Sequence, residues 1–127
     1  MRIAIGNDHA ACDEKNAVMA ALEAAGHEVD NVGTDTGDSC DYPDFAANVA
    51  RRVASGEADR GILICGTGIG MSMTANRIPG VRAALVHSEF TAKMCREHND
   101  ANVLCLGARV LSLDELQAFT RVFCETE

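Results

Sequence analysis

Short apolar runs alternate with stretches whose apolar positions recur every three or four residues, and the pair repeats about every 25 residues. A continuous apolar run reads as a strand covered on both faces, and the spaced pattern reads as the crossover helix that returns the chain to lay down the next parallel strand. Residues 2–6 open the series, and Ala17, Val18, Ala21, Leu22 and Ala25 form one helical stripe that Gly26 is placed to end. A weaker strand over 28–32 leads to a helix from near Pro43 through Ala46, Val49, Ala50 and Val53 to Gly56, with Pro43 suited to a first helical turn. Residues 61–65 are the third strand, followed by a glycine loop and a helix over 71–77 that Pro79 stops. Residues 81–86 are the fourth, after which Ser88 caps a helix carrying Phe90 and Met94. The fifth spans 102–106, and Ser112 with Glu115 makes a capping box for a last helix bearing Leu116, Phe119 and Val122. The pattern predicts one α/β domain over 1–127, a Rossmann-like three-layer αβα sandwich with a five-stranded parallel sheet.

The third strand ends in Cys65 and breaks at once into Gly66-Thr67-Gly68-Ile69-Gly70. A potential nucleophile or base thus sits at a strand's carboxyl edge, where the next helix's amino end offers N–H groups and positive potential that favour an anion or a thiolate. The spacing is G-x-G-x-G, the Walker lysine is absent and the loop lies mid-chain, so a small anion is expected here rather than a dinucleotide. Two plainer readings stand beside this one: the glycines permit a tight strand-to-helix turn, and Cys65 is a core thiol. Ligands of open parallel sheets gather outside the carboxyl ends of the strands, where the chain order reverses. Asn7-Asp8-His9 follows strand one, Cys65 strand three and Arg109 strand five, whereas His98-Asn99-Asp100 closes the fourth helix. The polar loop 33–41 is the most irregular stretch and is placed to border a cleft.

Eleven Lys and Arg against 19 Asp and Glu give a formal charge of −8, which disfavours a nucleic-acid or anionic-membrane surface and means an anionic ligand needs local help. No apolar run approaches a membrane span and Met1 enters a strand directly, so a cytoplasmic protein is expected. The six cysteines make no C-x-x-C pair and no metal-ligand spacing with the four histidines. Neither a metal, a cofactor nor a disulfide framework is expected, and most of the cysteines read as fillers.

Taken together, Asn7-Asp8-His9-Ala10, Asp41-Tyr42-Pro43, Ile64-Cys65-Gly66-Thr67-Gly68-Ile69-Gly70, Arg96-Glu97-His98-Asn99-Asp100, Asn102-Val103-Leu104 and Gly107-Ala108-Arg109 resemble, in the same order, the motifs of the ribose-5-phosphate isomerase B family. The resemblance covers nearly the whole chain. It implies reversible aldose–ketose isomerisation of a small phosphorylated sugar, with ribose 5-phosphate and ribulose 5-phosphate the leading pair, through ring opening and an enediolate. By resemblance Cys65 is the base, Thr67 and the amides of Gly66, Gly68, Ile69 and Gly70 hold the enediolate oxygen, and His98 is the acid for ring opening. Asp8, His9 and Asn99 align with residues that hold sugar hydroxyls or phosphate, and Arg109 with a phosphate ligand. Some relatives have serine at the cysteine position and a glutamate base beyond the loop; Met71 stands there in this chain, which favours Cys65. The resemblance also implies a homodimer or homotetramer.

Ala11 and Cys12 depart from the family's usual glycine and bulky residue, and the sequence given ends at Glu127, before the family's basic carboxyl-terminal segment. Galactose 6-phosphate, allose 6-phosphate and a tetrulose phosphate are alternative substrates, and a non-catalytic phosphosugar- or nucleotide-binding module is the alternative class. A partner chain supplying arginines is a further possibility. Structural readings remain open for Asp8 as an N-cap, His98 as a helix-end histidine favoured by the macrodipole and Arg109 as a solvated charge, while His27 and His87 are read as structural.

Overall fold

In a computed structural model, which describes residues 1–38 and 40–127, the predicted alternation becomes β1 (Arg2–Asn7), α1 (Cys12–Ala24), β2 (Glu28–Asn31), α2 (Tyr42–Ser55), β3 (Arg60–Cys65), α3 (Ile69–Ala75), β4 (Ala83–Leu85), α4 (Glu89–Glu97), β5 (Val103–Gly107) and α5 (Leu113–Glu125). Among the described residues the strands form one sheet in the order β2-β1-β3-β5-β4, every neighbouring pair parallel. The expected αβα sandwich is therefore what the sequence folds into.

Side-chain alternation along the three central strands builds two cores. Ile3, Ile5, Ile62, Ile64, Leu104 and Leu106 point to the face covered by α1, α4 and α5, where Val18, Leu22, Cys95, Leu116 and Phe123 meet them. Ala4, Leu63, Cys65, Val103 and Cys105 point to the other face, under Ala46, Val49, Ala50 and Val53 of α2 and Met71 and Ala75 of α3. Each buried isoleucine or leucine contributes roughly 1.5–3 kcal/mol, which is why the apolar runs were the strongest strand marks in the sequence. Helix ends follow local chemistry: Gly56 closes α2 at φ +85°, and Ser88 and Ser112 form capping boxes with Thr91 and Glu115.

Several elements depart from expectation. The glycine-loop helix starts at Ile69 and ends at Ala75, so Pro79 lies beyond its end. β4 keeps only three residues of the expected six, because it is an edge strand paired to β5 alone. Phe90, which the sequence places on α4, is 70% exposed; Ala92 and Cys95 are the buried pair, their small side chains packing where α4 meets α5. Ala25 is exposed past the end of α1, whereas Lys15 joins Val18 and Leu22 on its buried face. All six cysteines are free, and burial pushes the Cys95, Cys105 and Cys124 thiols up, Cys124 to about 11. Among the described residues no helix is long and apolar enough to cross a membrane.

Gly61 lets α2 lie directly on β3: a methyl at this position would stand 2.6 Å from Val49 Cγ1 and 3.0 Å from Val53 Cγ2. Overpacking of this kind costs about 1–3 kcal/mol. Gly61→Ala is expected to lower the urea unfolding free energy by that amount, and to cost clearly less in a Val49→Ala background. Equal costs in both backgrounds would show that the contact does not set the helix position.

Candidate active site

The sheet order reverses between β1 and β3, since β1 is followed by β2 on one side and β3 by β5 on the other. At that switch point the Asp8 N–H donates to the Ile64 carbonyl at 3.2 Å, so Asp8 and Cys65 emerge side by side from the carboxyl edge. Cys65 is 6% exposed and faces the layer of α2 and α3. Its Sγ accepts the Gly68 N–H at 3.0 Å, and the Thr67 hydroxyl accepts the Ile69 N–H at 3.2 Å, which leaves the hydroxyl proton to be donated elsewhere. Of the loop amides expected to hold an oxyanion, those of Gly68 and Ile69 are therefore already engaged. Those of Gly66, Thr67 and Gly70 have no protein acceptor among the described residues. Ile69 presents an exposed side chain.

Two glycines make this loop possible. Gly68 takes φ +81°, and a Cβ on Gly107 of β5 would meet the Thr67 carbonyl oxygen at 2.7 Å. Just beyond, the Ala108 and Arg109 N–H groups donate to the carbonyls of Cys65 and Gly66 at 2.8 and 2.9 Å. The Arg109 side chain then crosses Gly66, its Cδ 3.5 Å from where a Cβ would be, and its guanidinium has no acceptor among the described residues. An unpaired fork of N–H donors beside two free amides suits a phosphate or a developing oxyanion.

Asp8 is an N-cap, one carboxylate oxygen accepting the Ala10 N–H at 2.9 Å, with the residue still half-exposed. His9 Nδ1 accepts the Cys40 N–H at 3.4 Å, which leaves the ring proton on Nε2. Cys40, not singled out in the sequence, thus borders the site. Tyr42 was not singled out, yet its ring lies on the loop: a Cβ on Gly70 would stand 2.7 Å from two ring carbons. Asp41-Tyr42-Pro43 was visible as a motif, but the pairing of Tyr42 with Gly70 is a contact between distant positions that spacing does not reveal.

His98 and Asn99 do not join this group within one chain. His98 is the C-cap of α4, and the turn after it delivers Asn102, whose carbonyl accepts the Gly61 N–H at 2.9 Å. Cys65 lies level with Gly107, four residues farther along the sheet, roughly 13 Å at the strand rise. Within one chain the two groups stay apart because α4 runs back against the strand direction and ends at the opposite edge. There Arg82 Nε donates to the Asn99 carbonyl at 2.6 Å, Arg96 Nη1 to the Ala101 carbonyl at 2.6 Å, and Asp100 takes φ +50°. Beside the glycine loop, Ile69, Leu85, Val110 and His87 line an open apolar cavity of about 240 Å³, so His87 borders the site region. No cluster of three or more metal-ligating side chains occurs among the described residues.

Comparison with known proteins assigns the family. The family model described as Ribose/Galactose Isomerase matches residues 3–127. Ribose-5-phosphate isomerase B of Escherichia coli is 45% identical over 113 residues, covering 89% of this chain and 76% of its own. D-erythrulose-4-phosphate isomerase of Pectobacterium atrosepticum is 45% identical over 112 residues, covering 87% and 74%. The solved structure of Clostridium thermocellum ribose-5-phosphate isomerase B superposes with a TM-score of 0.98 at 47% identity, over 100% of this chain and 86% of that one. A match over nearly the entire length, at this identity and with the same fold, establishes that the chain belongs to the ribose/galactose isomerase family and is an aldose–ketose isomerase.

Proposed function

We propose that this protein interconverts ribose 5-phosphate and ribulose 5-phosphate, without a cofactor, by Cys65-mediated proton transfer. The observation that carries the reading is the sulfur of Cys65 set at the switch point, held by the Gly68 amide, with the Gly66 and Thr67 amides and Arg109 around it, none of which has an acceptor among the described residues. In the forward direction the thiolate takes the proton from C2 of the open-chain aldose. The C2–H electron pair becomes the C1–C2 double bond of an enediolate, and charge moves onto O1. The Gly66 and Thr67 amides and the Thr67 hydroxyl oppose that charge. The thiol then returns its proton to C1 while the O2 proton passes to O1, leaving a ketone at C2. Asp8 and His9 hold sugar hydroxyls, and Arg109 holds the phosphate.

His98 and Asn99, which would open the ring and bind the sugar, come from a second copy of the chain in this reading. Two features support a homodimer or homotetramer: the separation of His98 from Cys65 along the sheet, and the exposed apolar Ile69, Leu85 and Val110 beside the glycine loop. Relatives named for different sugars share the same identity with this chain, so D-erythrulose 4-phosphate is the second substrate to test.

Incubation with ribose 5-phosphate in deuterated water is expected to give ribulose 5-phosphate carrying deuterium at C1. Cys65→Ala is expected to lower kcat by about 10²-fold or more while leaving the fold and ligand affinity in place. Full activity in Cys65→Ala, or preferential turnover of D-erythrulose 4-phosphate over ribose 5-phosphate, would overturn the base or the substrate respectively.

Arg109→Ala is expected to raise KM for phosphorylated substrate by about tenfold or more, with little rescue by Arg109→Lys, because a charge-assisted hydrogen bond is worth roughly 1.5–3 kcal/mol and lysine lacks the planar fork. An unchanged KM would assign the phosphate to the loop amides instead.

Mixing also tests the shared site. Cys65→Ala and His98→Asn, each impaired alone, are expected to regain up to about a quarter of wild-type activity when unfolded together and refolded, since half of a random mixture is heterodimer with one intact site of two. No recovery, from chains that demonstrably co-assemble, would place His98 outside the partner's site.

A further inference from the structure

Among the described residues Lys15 is the one charged side chain with no exposure at all, and nothing in the proposed chemistry uses it. It occupies the buried stripe of α1 beside Val18 and Leu22, where an aliphatic residue would fit the pattern. Its ammonium donates to the Thr34 carbonyl at 2.8 Å and pairs with Asp35, whose side chain is 71% exposed and also accepts from Asn31 Nδ2 at 3.0 Å. The Lys15 and Asn31 hydrogen bonds hold the Asp35 carboxyl below its ordinary value. A buried ammonium is retained when its partners are fixed, and here those partners are two consecutive residues of a loop that has no regular structure.

That loop touches the site at both ends. Gly33 lies against Asn7, the last residue of β1, so closely that a Cβ would stand 2.0 Å from Asn7 Oδ1. Asn7 is buried, and its Nδ2 donates to the Asp8 carbonyl at 2.9 Å. Cys12, one turn before Lys15, adds a thiol hydrogen bond to the Thr36 carbonyl at 3.1 Å. At the far end the Cys40 N–H meets His9 Nδ1. We propose that Lys15 is a positioning residue: by anchoring Thr34 and Asp35 it presses the loop onto Asn7 and His9 and so sets where Asp8 and His9 stand in the active site. Its effect on turnover rests on the isomerase reading above; its effect on the loop does not.

The test uses Lys15→Met, which keeps the buried chain length and removes the ammonium. Amide hydrogen exchange is expected to quicken about tenfold or more at Ala10, whose N–H caps on Asp8, and through 33–36, with the amides of β3 and β5 unchanged. With ribose 5-phosphate, KM is expected to rise about tenfold with kcat within about threefold, Lys15→Arg is expected to recover part of that loss, and Lys15→Met is expected to add little in a His9→Asn background. Exchange that quickens everywhere, or kcat that falls at constant KM, would assign Lys15 to general stability and overturn the proposal. So would additive losses in the His9→Asn background. Should Lys15→Met fail to fold, Asp35→Asn, on the exposed loop, carries the same readouts, and unchanged exchange at Ala10 and 33–36 in that variant overturns the proposal. If the wild-type protein turns over no phosphosugar, the functional reading falls, and the exchange pattern alone decides the role of Lys15.

Discussion

The bare Cα of Gly107 is the contact on which the candidate site depends. Any side chain there would collide with the Thr67 carbonyl, and the loop after β3 would have to lift off β5. Because it does not lift, Gly68 can take its positive φ and turn its N–H onto the Cys65 sulfur, while the two residues after Gly107 run back along the loop and bond to the carbonyls of Cys65 and Gly66. One close approach between two parallel strand ends therefore fixes the thiol, the free amides and the root of Arg109 together. The precision comes from backbone against backbone, which is stiffer than any arrangement of long side chains.

The same parallel sheet explains why the candidate residues fall into two groups. Every strand delivers its polar carboxyl end to one edge, and every crossover helix returns to the other. Asp8, Cys65 and Arg109 follow strands; His98 and Asn99 follow a helix, so the fold itself separates them. On the proposed reading the chain meets this constraint by assembly, presenting the far edge of one copy to the near edge of another. Arg82 and Arg96 hold the turn at Asn99 and Ala101 through hydrogen bonds to backbone carbonyls, which keeps the His98 segment in shape even where it stands alone at the surface.

Much of the fold was legible because β1, β3 and β5 are covered on both faces and carry unbroken apolar runs. Where burial is one-sided or partial the sequence spoke less clearly: β4 shrank to three residues at an edge, and the buried residues of α4 are the small Ala92 and Cys95 rather than the large Phe90 that marked the helix. Of the site, the strand-end residues were legible by position. Tyr42 against Gly70, Cys40 against His9 and Lys15 against Asp35 were not, since each joins residues far apart in the chain. Lys15 was hidden for a further reason: a lysine in a helical stripe breaks the apolar period, and only the loop that receives its charge makes burial tolerable.

Charge links these observations. A chain of net −8 must gather an anionic ligand by local means, and the site has them in Arg109 and in loop amides that have no acceptor among the described residues, and in a cysteine that already draws one N–H. The nearest carboxylate expected to contact the ligand, Asp8, has one oxygen engaged by the Ala10 amide, which reduces its opposition to a bound anion while leaving the other oxygen for a sugar hydroxyl. Asp35, on the neighbouring loop, is paired to Lys15 rather than left as a further free negative charge. The buried lysine thus does two things at the same place: it anchors the loop beside His9 and neutralises the carboxylate that the loop carries.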